Sequence, residues 1–583
     1  MEPPEPPSDF STLTRRLRPE RGRLGALLVV LIAAMTLPLL GPYLMGRFVD
    51  QAAGGEPASG LVLLAALFLA VAILADGLQL LVTWLSVRLA WRVGNRLRSD
   101  LCQHALGLDL AWHGEHSAGQ LIERVDGDVD ALTKFSSAAV LNLAGNAVLL
   151  VGTLVVVTAI DWRAGALVAL VTAAAALVLM RLRKAAVPYR DAEREVQASL
   201  YGDIEERLGG LEDLRANGAG RWAVQRLHVN SWRWWNVSRK AAARGDGALV
   251  AADVIFALGS ALILGLGVLL YRDGAITIGT VLALFRYSQL VSEPLWEVAE
   301  QLSEMQKAIA GTRRAARLLA TESTIQDGDG PDLPGGALGF ELDDVCFGYG
   351  TGRPVLDGVT IEASPGTTVG IVGRTGSGKT TIGRLLARLW DPETGAVRVG
   401  GVDLRSTRQA DLRSRIAVVT QEVEIFRGTV RDNLTLFGTV AATDAELTDA
   451  LERSGLGGWL TVLPGGLETM LHGSSELSAG EAQLLAFARV LIADPGLIVL
   501  DEASSRLDPG TEARLTASTA QLLGGRTAVV IAHRLSTLES VDHIVMLDRG
   551  VVAEQGSRAQ LEADPTSRFA SLLADERRAR VSR

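Results

Sequence analysis

The run Gly373-Arg374-Thr375-Gly376-Ser377-Gly378-Lys379-Thr380-Thr381 combines glycines, a lysine and hydroxyls at a spacing that can wrap a polyphosphate. Glycines let successive backbone N–H groups close on phosphate oxygens, and a helix starting at the loop adds a favourable dipole. Lys379 is expected to reach the β- and γ-phosphates, and the Thr380 hydroxyl to ligate Mg2+. Much later in the chain, Asp501-Glu502 sets two carboxylates side by side. The first is placed to hold the magnesium shell, and the second to polarise an attacking water as general base. His533, at the end of a further apolar run, is placed to sense or stabilise the γ-phosphate. Together these residues could cleave ATP with the help of Mg2+.

Such chemistry needs elements that hold its parts in register. Val369-Gly370-Ile371-Val372, Leu497-Ile498-Val499-Leu500 and residues 527–532 are short apolar runs, each read as a buried strand. The first leads directly into the glycine loop, which must then open a helix. That strand–loop–helix context is what separates a phosphate-binding loop from a chance glycine-rich turn. Residues 316–337 are polar and rich in Gly, Asp and Pro, and read as a linker before a domain spanning 338–575. Residues 576–583 form a tail.

The first half of the chain is different. A hydrocarbon core of ~30 Å needs about 20 apolar residues in helical form. Six stretches qualify, at residues 24–48, 61–85, 138–160, 164–180, 248–271 and 276–298. The sixth is interrupted by Arg286, Gln289, Glu293 and Pro294. Basic residues cluster before the first stretch (Arg15, Arg16, Arg18, Arg21, Arg23), after the second and after the fourth. The opposite loops are short and carry Asp50, Glu56, Asp161 and Asp273. The positive-inside bias therefore puts both termini in the cytoplasm, with 1–22 as a cytoplasmic segment and 23–315 as the membrane domain. The long connections 86–137 and 181–247 read as helices reaching into the cytoplasm.

Further motifs complete a pattern. Leu477-Ser478-Ala479-Gly480-Glu481 precedes an apolar helix about twenty residues before Asp501; Gln421 lies in Val418-Val419-Thr420-Gln421-Glu422; Ser505-Arg506-Leu507-Asp508 follows Glu502. With these in order, the chain resembles an ATP-binding-cassette exporter half-transporter of the type IV, multidrug- or lipid-exporter-like kind, over nearly its whole length. The resemblance implies a multi-domain fold, with a six-helix all-α membrane domain followed by an α/β P-loop domain carrying a helical subdomain. It implies ATP and Mg2+ as ligands, Tyr349 stacking on adenine, Gln421 joining Thr380 and Asp501 at the metal, and Asp508 as the D-loop acid. It also implies that Ser478, Ala479, Gly480 and Glu481 meet nucleotide held by a second chain, and that coupling helices lie near 112–120 and 204–214. Ala479 and Glu481 depart from the family's LSGGQ signature. An intact P-loop beside an altered signature favours one subunit of a heterodimer, with a homodimer as the alternative.

Composition narrows the function class. The 583 residues are 48% hydrophobic with net charge −9, which argues against a nucleic-acid partner. Cys102 and Cys346 form no CxxC, so neither zinc site nor disulfide framework is expected. Arginine far outnumbers lysine among 57 basic residues, a usage that suits a GC-rich bacterial source and hence a bacterial cytoplasmic membrane. The expected activity is export of an amphipathic small molecule, lipid or peptide. Siderophore-like uptake, a homodimeric lipid flippase and a non-transporting sensor are the competing readings. Asp76, Asn142, Asn146, Asp253, Arg286, Gln289 and Glu293 fall in or beside the apolar stretches, where charge is costly enough to require a cavity or a partner.

Overall fold

The computed structural model describes residues 21–350, 352–473, 476–501, 509–532 and 535–581; within its helices, the side chains of 140, 141, 293, 296, 298–300, 302, 303, 509–513, 535, 536, 576, 577 and 579–581 are not described. The chain divides into two compact units, one of residues 1–106 and 118–321, the other of 107–117 and 322–583.

The first unit is helical. Among the described residues five helices are long and apolar enough to cross a membrane: Arg21–Ala53, Ala58–Leu106, Ala118–Ile160, Trp162–Gly209 and Gly220–Arg272. Large side chains such as Val62, Leu63, Ile73 and Leu80 are exposed on them, as a lipid-facing surface requires. The helix Ala58–Leu106 has 49 residues, hence a length of about 74 Å at 1.5 Å per residue. That is more than twice the hydrocarbon thickness, so its second half must project as a rod.

The sixth apolar stretch is helical but divided. One helix covers Ile278–Leu290 and the next Ser292–Ala320, with Val291 between them. Pro294 explains the break, because it lacks the N–H that would bond the Leu290 carbonyl. The second helix also runs through Ala320, so the first residues of the segment read as a linker are helical. Arg286 donates to Gln289 on its own helix at 3.1 Å; the Glu293 side chain lies outside the described residues. The sixth segment is fastened to the first. Asp50 accepts from the Thr277 hydroxyl at 2.6 Å and from the Gly279 N–H at 2.7 Å. Buried Tyr287 donates to the Leu39 carbonyl at 2.6 Å. A Cβ at Gly279 would sit 1.9 Å from the Gly46 carbonyl oxygen, so only glycine permits this backbone contact.

Two short helices interrupt the rods. Leu110–Glu115 and Leu211–Ala216 lie close to the expected coupling helices. The second begins later than expected, because the preceding helix continues to Gly209.

In the second unit the strands are, in chain order, β1 (Phe340–Phe347), β2 (Leu356–Ala363), β3 (Thr368–Gly373), β4 (Thr394–Val399), β5 (Val402–Asp403) and β6 (Ile416–Val419). They continue with β7 (Gly428–Thr429), β8 (Met470–Leu471), β9 (Leu497–Asp501), β10 (Thr527–Ile531), β11 (His543–Asp548) and β12 (Val551–Ser557). The central sheet has the order β12-β11-β3-β10-β9-β6. All its pairings are parallel except β11 with β12. β3, β9 and β10 are buried along nearly their whole length, as a parallel sheet covered on both faces demands. A smaller antiparallel sheet, β2-β1-β4-β5, packs beside it. Adjacent β3, β10 and β9 all point their C-terminal ends to one edge. In an open α/β sheet that edge is where ligands bind.

Candidate ATP site

The glycine loop leaves β3 at this edge and enters the helix Lys379–Leu386. Gly376 and Gly378 have φ of 81° and 102°, conformations that side chains resist. A Cβ at Gly378 would also lie 2.5 Å from Leu356. Lys379 is 5% exposed, and its ammonium donates to the carbonyls of Gly373 at 2.8 Å and Arg374 at 3.1 Å. Burial pushes the Lys379 pKa below its usual value, and the charge of Asp501 opposes that shift. An ammonium held by two loop carbonyls and facing one carboxylate is suited to receive a polyphosphate.

Asp501 ends β9, paired with Ile531 at the end of β10. A cavity of about 380 Å3 brings Thr380, Gln421 and Asp501 together, with Arg384, Thr420 and Glu422 also on its wall. Two buried oxygens at this edge, Ser377 Oγ and Asp501 Oδ1, have no hydrogen-bond partner among the described residues. Buried polar atoms are nearly always paired, so these two fit a phosphate and a hydrated cation. One carboxylate, one hydroxyl and one amide suit Mg2+, which keeps several waters and shares its shell with substrate phosphates. When bound, the ion neutralises charge on the transferring phosphoryl group.

Tyr349 is half exposed. Its hydroxyl lies 3.2 Å from Thr381 Oγ1 and accepts from Arg384 at 3.1 Å, which fixes the ring beside the first turn of the P-loop helix. Phe347 and Trp390 brace it edge-on, with centroids 4.9 and 5.3 Å away. Arg384 and Trp390 escaped the sequence reading. The available signal was helical spacing, since Arg384 lies four residues beyond Thr380 and three beyond Thr381 on one helix. Arg374 and Thr375 are exposed in the loop.

The signature residues do not line this cavity. Ser478 is the N-cap of the helix Ala479–Ala493, with Ala479 and Gly480 in its first turn. Glu481 turns back on that cap, accepting from the Ser478 N–H at 2.9 Å and from its hydroxyl at 2.7 Å. The carboxylate thus occupies the donors that an incoming phosphate would seek. Glu502, Asp508 and His533, with expected roles as base, D-loop acid and γ-phosphate sensor, lie outside the described residues.

Residues 24–295 match the family described as ABC transporter transmembrane region, and residues 356–505 the one described as ABC transporter. A fatty acid ABC transporter ATP-binding/permease protein of Mycobacterium bovis is 30% identical over 469 residues, which cover 80% of this chain and 74% of that protein. The chain belongs to the ABC transporter family. It is a multi-span membrane protein that couples ATP hydrolysis to transport. A multidrug efflux ATP-binding/permease protein of M. bovis is 33% identical over 575 residues, 96% of this chain but 47% of that longer protein. The fold is similar to that of a bacterial Atm1-family ABC exporter with ATP bound, with TM-score 0.78 and 24% identity over 95% of this chain and 98% of that one.

Proposed function

We propose that this chain is one half of a dimeric ATP-driven exporter of amphipathic small molecules, lipids or peptides. It works in a bacterial cytoplasmic membrane with both termini in the cytoplasm. The observation that carries the reading is the convergence of Lys379, Thr380, Gln421 and Asp501 at one sheet edge of a chain whose other unit is built of membrane-length helices. Ser377 and Lys379 bind the phosphates, Tyr349 stacks on adenine, and Thr380, Gln421 and Asp501 orient the magnesium shell. Glu502 takes a proton from water, and His533 holds the γ-phosphate oxygens. Ser478 of one chain faces the nucleotide held by the other, so neither chain completes a site alone. The amphipathic cargo class is supported by relatives whose names specify multidrug efflux and fatty acids.

The partner is proposed to be a different half-transporter, on the strength of Glu481. A phosphate reaching Ser478 must displace a carboxylate that already takes both of its donors. Hydrogen bonds to charged groups exceed neutral ones by about 1–1.5 kcal/mol, so Glu481→Gln should tighten ATP at the site this signature completes by roughly 5- to 10-fold. Nucleotide titration of the purified dimer measures this. Unchanged affinity would remove the physical basis for unequal sites.

Transport itself is tested in sealed inside-out vesicles with a panel of fluorescent cationic dyes, fatty acids and phospholipids. Export predicts ATP-dependent uptake or leaflet transfer of at least one class. ATP hydrolysis with movement of none would contradict it.

A further inference from the structure

The short helix Leu110–Glu115 sits between two rods of the membrane unit, yet residues 107–117 belong to the second unit. Asp109 accounts for much of that attachment. The residue is 9% exposed, and its two carboxylate oxygens do different work. Oδ1 accepts from the Trp112 N–H at 2.9 Å and so caps the short helix. Oδ2 accepts from the Thr324 N–H at 2.7 Å and from the Thr324 hydroxyl at 2.8 Å. Thr324 lies just after the crossing into the ATP-binding domain, between Thr321 and Glu322.

The segment that Asp109 grips is itself stapled to the nucleotide site. The Gln409 side chain donates to the Ile325 carbonyl at 3.2 Å, and Gly330 N–H to the Ser406 carbonyl at 2.7 Å. Arg388, 2% exposed, donates to the Gln326 carbonyl at 2.8 Å and to the Thr407 carbonyl at 2.8 Å. Arg388 stands two residues beyond the end of the P-loop helix Lys379–Leu386. An unbroken series of hydrogen bonds and short peptide segments thus runs from the P-loop helix to the short helix. On the other side of the crossing, His104 Nε2 lies 2.9 Å from the Thr321 carbonyl.

We propose that Asp109 is a positioning residue that clamps the helix Leu110–Glu115 to Thr324, so that displacement of the P-loop helix is delivered through Arg388 and residues 324–326 to the rods flanking that helix. This rests on the ATP-driven transport proposed above. The crossings at Leu106/Gly107 and Ser117/Ala118 are covalent, so a short helix held to the second unit must pull on both rods when that unit moves. Without the clamp, the P-loop helix moves but the pull is slack. Burial opposes ionisation of Asp109, yet its hydrogen bonds from Trp112 and Thr324 outweigh this and hold the carboxyl below its usual pKa. The clamp is therefore fully formed at neutral pH and is lost only in acid below the ordinary carboxylate range.

Asp109→Asn is the informative variant. Asparagine caps helices as well as aspartate does, but a carboxamide has one acceptor oxygen and cannot serve Trp112 and Thr324 together. Thr324→Val removes only the hydroxyl bond and gives a second, milder lesion. Each is made in the full-length transporter, with its partner chain if it needs one, in lipid nanodiscs. ATP hydrolysis is measured beside the change in amide hydrogen exchange of residues 90–106 and 118–130 on trapping with Mg-ATP and vanadate. The expected result is hydrolysis close to wild type, with the exchange response reduced roughly 2- to 30-fold in Asp109→Asn and less in Thr324→Val. A full exchange response in both variants would overturn the proposal, as would loss of hydrolysis and response in parallel. A wild type that hydrolyses no ATP would instead overturn the functional reading on which the clamp depends.

Discussion

Lys379→Ala is expected to weaken ATP binding by roughly 10- to 150-fold, because a charged hydrogen bond contributes about 1.5–3 kcal/mol. The side chain is buried beneath the loop and bonded to the carbonyls of Gly373 and Arg374. It is a cation set against the glycine loop, and Asp501 is close enough to influence its charge. Alanine removes the charge and both ammonium bonds to the loop carbonyls, leaving the Arg374 carbonyl with only the Ser377 N–H, so the loop is held less firmly. Equilibrium titration with a fluorescent ATP analogue reads the effect, and a nucleotide-free melting curve separates it from unfolding. Unchanged affinity in a folded variant would mean that the loop does not hold phosphate.

Glu502→Gln is expected to leave ATP binding nearly intact while lowering turnover by about 10²- to 10⁴-fold, the usual contribution of a positioned base. Glutamine keeps the size and removes only the ability to take a proton. The assignment rests on what precedes it: Asp501 closes a fully buried strand, and one of its carboxylate oxygens has no partner among the described residues. Steady-state phosphate release measured beside nucleotide affinity distinguishes a base from a binding group. Hydrolysis at the wild-type rate would remove Glu502 from the chemistry.

The strand, glycine loop and helix of the candidate site were legible in sequence because they are local. A buried strand, five loop residues and a helix follow one another without interruption, and each type has one physical reason to be there. The membrane helices were legible because length and hydropathy suffice. Pro294 already hinted at the break in the sixth helix, although its position at Val291 follows from which carbonyl loses its donor. Glu481 was visible as a departure, but sequence could not say where its carboxylate points; the capping bonds to Ser478 answer that. Asp109 and Thr324 were not legible at all. They are 215 positions apart in a bond that depends on a short helix folding back, and neither residue type is unusual in a polar loop. Arg388 was hidden for the same reason, since its partners at Gln326 and Thr407 are backbone carbonyls that leave no mark on side-chain pattern.

The reading of this chain stands on ATP cleavage at the β3 edge. Magnesium-dependent phosphate release by the full-length protein in lipid nanodiscs, with any partner it requires, is the most direct measurement. The account predicts release that stops when the metal is chelated and is largely lost in Lys379→Ala. Release no greater than that of the Lys379→Ala protein, with or without magnesium, would contradict it.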